Sequence, residues 1–169
     1  MRISIVVAVV ATIGCAGSTS SVSTVPVSTP SVSTTSAAPP KSEVELVTFA
    51  PSLGINLDSM TKRPSGLYLK NLVIGTGAIA TRGRSAVVRY AGYLPSGTLF
   101  EGGDASAEIT VALGSNATIR GWEEGLPGMR VGGKRRLIIP PSLGYGAKGS
   151  GPIPPNSVLI FDMELIAVR

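Results

Sequence analysis

Leu159-Ile160-Phe161-Asp162-Met163-Glu164-Leu165-Ile166-Ala167, near the end of the chain, decides the fold class. Leu159, Phe161, Met163, Leu165 and Ala167 share one side of an extended chain, with Asp162 and Glu164 on the other. That period of two marks a strand with one buried face. Further back, Ile109, Val111 and Leu113 alternate with Glu108, Thr110 and Ala112 in the same way. Gly66 to Ile74, Ser85 to Leu94 and Arg135 to Ile139 are the remaining predicted strands. Between them stand Gly75-Thr76-Gly77, Pro95-Ser96-Gly97 and Pro140-Pro141-Ser142, residue types that turn a chain. One helix fits: Ile119, Trp122 and Leu126 lie at helical spacing after Ser115-Asn116-Ala117-Thr118, and Pro127-Gly128 ends it. The pattern predicts an α+β fold in which a mostly antiparallel sheet is covered by one short helix.

A chain of 169 residues, 43% of them hydrophobic, is long enough for one ordinary core. It has no histidine, which removes Ser-His-Asp and Cys-His nucleophilic catalysis and the HExxH zinc motif. The single cysteine, Cys15, forms no intramolecular disulfide and no Cys-rich metal site, so neither a metal nor a cofactor is expected. The net charge of +5 is spread thinly. Its densest run, Lys134-Arg135-Arg136, reads as a solvated strand edge rather than a nucleic-acid surface.

The N-terminal segment reads as an export device. Arg2 followed by the apolar run Ile3 to Gly14 has the layout of a signal peptide over residues 1–15, too short to span a bilayer as a mature helix. Ile13-Gly14-Cys15-Ala16 resembles the bacterial lipobox, with Thr12 where leucine is usual, and makes Cys15 the expected site of lipidation and membrane attachment; the alternative is a plain cleaved signal peptide whose cysteine is incidental. Residues 16–42 are Ser, Thr, Val, Pro and Ala with almost no charge, the composition of a disordered linker. Residues 43–64 carry Leu46, Val47, Phe49, Leu53, Ile55 and Leu57 and read as a flanking segment packed on the domain that follows over 65–169. The expected location is the periplasm or cell envelope.

Two motifs mislead. Gly144-Tyr145-Gly146-Ala147-Lys148-Gly149 satisfies G-x-G-x-x-G, but Pro152, Pro154 and Pro155 follow where a dinucleotide fingerprint needs a helix. Gly128 to Lys134 supplies G-x-x-x-x-G-K, yet Arg135 stands where a phosphate loop needs Ser or Thr.

Four segments in fixed order discriminate better. They are Val88-Arg89-Tyr90-Ala91-Gly92-Tyr93-Leu94 with Gly97 and Phe100; Ile119-Arg120-Gly121-Trp122-Glu123-Glu124-Gly125-Leu126 through Met129; Gly132-Gly133-Lys134-Arg135-Arg136 with Ile139-Pro140-Pro141 and Tyr145-Gly146; and Ile153-Pro154-Pro155-Asn156-Ser157 leading into Leu159 to Leu165. Together they closely resemble the FKBP domain, a macrolide-binding peptidyl-prolyl cis-trans isomerase, over about residues 65–169. The resemblance implies a half-open, highly twisted antiparallel sheet, a half-barrel wrapped around one short helix, with an apolar pocket between them.

What the resemblance implies for the site follows residue by residue. Trp122 corresponds to the indole floor beneath a prolyl ring, and Tyr90, Phe100 and Phe161 to the aromatic walls. Ile119 corresponds to the residue whose backbone N–H meets a ligand carbonyl, and Tyr145 to the loop tyrosine whose hydroxyl bonds one. Ile109, Thr118, Ser150 and Ile153 map to the substrate-binding rim. Glu101 stands where the family usually has Asp, Ile109 where it often has a further aromatic, and the loop after Tyr145 is one residue shorter than the commonest form. The implied partners are proline-containing polypeptides and macrolide inhibitors, with rotation about Xaa-Pro bonds of exported proteins as the activity. The alternative is a non-catalytic FKBP-fold chaperone or binding module on the envelope.

Overall fold

The computed structural model describes residues 42–103 and 108–169. Seven strands form one sheet: β1 (Thr61–Lys62), β2 (Tyr68–Val73), β3 (Ser85–Tyr93), β4 (Leu99–Gly102), β5 (Glu108–Ala112), β6 (Lys134–Ile139) and β7 (Leu159–Val168). Their order is β1-β2-β6-β7-β3-β4, with β5 also paired to β3, and every pairing is antiparallel. One helix, α1 (Arg120–Gly125), covers one face. The α+β architecture of the sequence reading is therefore the observed one.

Register explains which side chains meet. Tyr90 lies opposite Met163 and Gly92 opposite Phe161 across β3 and β7, while Leu137 lies opposite Phe161 across β6 and β7. Because side chains alternate along a strand, Val88, Tyr90, Leu137, Ile139, Leu159, Phe161, Met163 and Leu165 form one apolar face, against which Trp122 and Leu126 of α1 pack. Each such side chain, once buried, contributes about 1.5–3 kcal/mol. The helix approaches closely because two of its residues lack side chains. A β-carbon on Gly121 would lie 2.6 Å from Ile139 Cδ1, and one on Gly125 2.5 Å from Leu137 Cδ1.

Strand β4 is not anticipated by the alternation pattern. Leu99-Phe100-Glu101-Gly102 is short and lies at the sheet edge, where neither face is fully buried. The Pro95-Ser96-Gly97 turn builds it, with Gly97 N–H donating to Leu94 O and Leu94 N–H to Thr98 O, both at 2.9 Å.

The basic run at 134–136 departs from the expectation of a solvated edge. Arg135 points to the helix side, is only 6% exposed, and donates to the Gly125 and Pro127 carbonyls and to Asn71. It thus satisfies carbonyls at the C-terminal end of α1 that the helix leaves without partners. Arg136, on the opposite face, makes a two-point pair with Asp162, both contacts at 2.6 Å.

That opposite face holds a second core beside the one expected. Residues 43–59 run as three short 3₁₀ turns, Glu43–Leu46, Pro51–Leu53 and Leu57–Ser59. From these Val44 and Leu53 pack with Tyr68, Ile138, Val158 and Ile160. The strap is tied near its start and at its middle: Tyr68 Oη donates to Glu45 Oε1, Ala50 N–H to Pro95 O, and Arg136 to Leu53 O. Strand β1, inside the flanking segment, pairs with β2. The signal-peptide, Cys15 and linker readings fall on residues outside those described, apart from Ser42.

Candidate functional site

The floor and walls of the pocket come from four strands and α1. Trp122 sits in the first turn of the helix, buried, with its ring edge-on to Tyr90 (centroids 4.9 Å, 75°) and to Phe161 (5.2 Å, 87°). Phe100 from β4 stands edge-on to Phe161 at 5.6 Å and 87°. Edge-to-face rings at such distances gain about 0.5–1.5 kcal/mol per pair beyond burial, which fixes their planes. Gly92 makes the Phe100 arrangement possible: a β-carbon there would lie 2.7 Å from Phe100 Cζ and 2.9 Å from Phe161 Cε1. Trp122 Nε1 is buried and has no hydrogen-bond partner among the described residues, so the indole is held by ring contacts and burial.

These rings floor a hollow of about 370 Å³ lined by Tyr90, Glu101, Ile109, Ala117, Thr118, Ile119, Trp122, Tyr145 and Phe161. Ile119 is the residue that caps the N-terminus of α1. Its carbonyl accepts from the Trp122 and Glu123 amides, whereas its own N–H donates to no other described residue. Thr118 Oγ1 is buried beside it without a partner among those residues. Phe100, Ser150 and Ile153 line an adjoining hollow that shares Glu101 and Tyr145 with the first. The structure thus gathers every pocket residue read from the sequence around two contiguous hollows. Ala117 is an addition in the first hollow, as are Gly151 and Pro152 in the second. The signal for Ala117 in the sequence is only its place in the polar run before the helix.

The electrostatics of the site are those of an aromatic-floored cleft with one carboxylate, Glu101, among the described residues. Burial, reinforced by the neighbouring Glu101, pushes the Tyr90 phenol up to about 12. Burial and then the Glu101 charge also raise Tyr145. Both phenols therefore stay protonated at neutral pH and keep a hydroxyl that donates. The hollow has no nucleophile paired with a base, and among the described residues no cluster of Asp, Glu, Cys or His is placed to hold a metal. What the arrangement does offer is an apolar recess for a ring, with a backbone N–H and a phenolic hydroxyl at its rim.

Comparison with known proteins agrees with this geometry. The family model for the FKBP-type peptidyl-prolyl cis-trans isomerase matches residues 77–166. An FK506-binding protein of Neisseria meningitidis is 45% identical over 105 residues, covering 61% of this chain and 96% of its own length. A peptidyl-prolyl cis-trans isomerase of Arabidopsis thaliana, FKBP53, is 46% identical over 110 residues, but these are only 23% of that longer protein. Among solved structures, FkpA from Escherichia coli superposes with a TM-score of 0.61 at 36% identity, covering 66% of this chain and 52% of FkpA.

Proposed function

The chain belongs to the FKBP-type peptidyl-prolyl cis-trans isomerase family, and from that membership we propose that its isomerase activity resides in the recess floored by Trp122. The observation that carries this reading is the edge-to-face cluster of Tyr90, Trp122 and Phe161 under a rim that exposes donors and almost no charge. A prolyl ring seats on the indole, and the preceding carbonyl meets the rim.

The chemistry required is rotation without bond breaking. Partial double-bond character leaves a barrier of about 18–20 kcal/mol, although Xaa-Pro favours trans by only about 0.5–1 kcal/mol. In the twisted transition state the amide loses resonance and its carbonyl loses dipole. A water-poor recess therefore favours the twisted form over the planar one. The Ile119 N–H and the Tyr145 hydroxyl supply donors to substrate carbonyls and hold the peptide while the bond turns. A thousandfold acceleration asks for about 4 kcal/mol, a scale that desolvation and two oriented hydrogen bonds reach without nucleophile, metal or cofactor.

The substrates we assign are proline-containing segments of exported proteins, with macrolides as competing ligands. The apolar run before Cys15 and the lipobox-like junction support export and a lipid anchor on the cell envelope. Two experiments test the assignment. Cis-to-trans conversion of a short Xaa-Pro peptide should accelerate with added protein and slow on titration with a macrolide; a rate equal to the uncatalysed one would overturn it. Cys15→Ala should release the protein from membranes of a bacterial host, and retention with lipid still attached would remove the anchor from the account.

A further inference from the structure

Glu101 and Tyr145 form the ridge between two hollows. On one side lies the prolyl recess of about 370 Å³; on the other lies a depression of about 290 Å³ lined also by Phe100, Ser150 and Ile153. Successive Cα atoms are about 3.8 Å apart, so a peptide with proline seated in the first hollow carries a neighbouring residue over the ridge into the second. Among the described residues Glu101 is the one carboxylate lining either hollow, and neither Lys nor Arg lines them. It makes no ion pair with any described residue. The cations Lys62, Arg89, Lys134 and Arg136 are engaged by Glu45, Glu108, Glu164 and Asp162. Its charge is felt on the ridge and in the first hollow, since Tyr145 beside it and Tyr90 are each raised by it in addition to burial.

We propose that Glu101 makes this isomerase selective for Xaa-Pro sites that carry a lysine or arginine next to the proline on the side crossing the ridge, and selective against acidic residues there. The selectivity rests on the reading of the Trp122 recess as the prolyl site. It opposes the long-range field of the chain, whose net charge of +5 repels a cationic peptide. A local preference for cations is therefore the mark of Glu101 itself. The carboxylate is exposed, so the pair formed is of the modest, screened kind.

The test is kcat/KM for two peptide series, one varied at the residue before proline and one at the residue after it, each with Lys, norleucine or Glu. In one series the Lys peptide should exceed the norleucine peptide by about two- to fivefold at low salt, and the Glu peptide should fall below it. That ratio should collapse towards one in Glu101→Gln and in about 1 M salt, where the screening length is ~3 Å, and should persist in part in Glu101→Asp. Turnover of the norleucine peptide with a Lys-to-norleucine ratio of one in both series overturns the selectivity and leaves the pocket reading standing. So does a ratio that survives Glu101→Gln. Failure to turn over the norleucine peptide at all removes the pocket reading, and the selectivity with it.

Discussion

Glu123, the residue after the pocket indole, reaches back to accept the Gly114 N–H at 2.6 Å. Although ionisable, it is only 7% exposed. The bond ties the helix that carries Trp122 to the start of the loop that carries Ala117, Thr118 and Ile119, and so joins the floor of the recess to its rim. Glu123→Ala should cost about 1–3 kcal/mol, the range for leaving a buried donor without its partner. Glu123→Gln, which keeps an acceptor, should cost less. Urea midpoints for the two variants check the order, and an equal loss in both would mean that the carboxylate rather than the hydrogen bond matters.

The strap across the outer face should matter as much as the helix across the inner one. Val44 is fully buried among Tyr68, Ile138 and Ile160, whereas Leu46, in the same 3₁₀ turn, is 71% exposed. Val44→Asp places a carboxylate in an apolar site and should destabilise by at least about 2 kcal/mol. Leu46→Asp should fall within about 0.5 kcal/mol of the parent. Equal effects in chemical denaturation would show that the strap does not hold the sheet.

One end of the strap should be sensitive to acid. Hydrogen bonds from Lys62, from Tyr68 and from the Ser42 backbone lower the Glu45 carboxyl from its ordinary 4.5 to about 2. A carboxyl whose folded value is depressed adds stability that is fully present above its unfolded value and is lost as pH falls through the folded one. The stability difference between wild type and Glu45→Gln should therefore be flat above about pH 5 and shrink between 4.5 and 2. Because the pair lies at the surface, added salt should shrink it at neutral pH too. A difference that stays constant down to pH 2 would remove Glu45 from this role.

What was legible in the sequence, and what was not, follows from how each element is specified. The alternation of Leu159, Phe161, Met163 and Leu165 gave the inner face of β7, because one buried face imposes a period of two. Ile160 and Ile138 are also fully buried, on the outer face, and alternation cannot announce that, since their burial depends on a strap distant in sequence. Arg135 was hidden for a similar reason. Its neighbours are cationic, and only the position of the end of α1 makes a buried guanidinium useful. The residues of the recess are marked by the ordered motif set rather than by periodicity, which on its own assigns Trp122 and Phe161 to core packing. They belong to the core as well.

The central claim, that this recess turns the Xaa-Pro bond, is tested most directly by kcat/KM for one peptide across wild type, Tyr145→Phe and Trp122→Leu, each shown to be folded. Tyr145→Phe removes one donor worth about 0.5–1.5 kcal/mol and keeps the ring, so efficiency should fall by roughly two- to tenfold. Trp122→Leu removes the floor itself and should cost more, with its stability measured first because shrinking a buried aromatic leaves a cavity. The account predicts wild type above Tyr145→Phe above Trp122→Leu, and equal efficiencies in three folded proteins would contradict it.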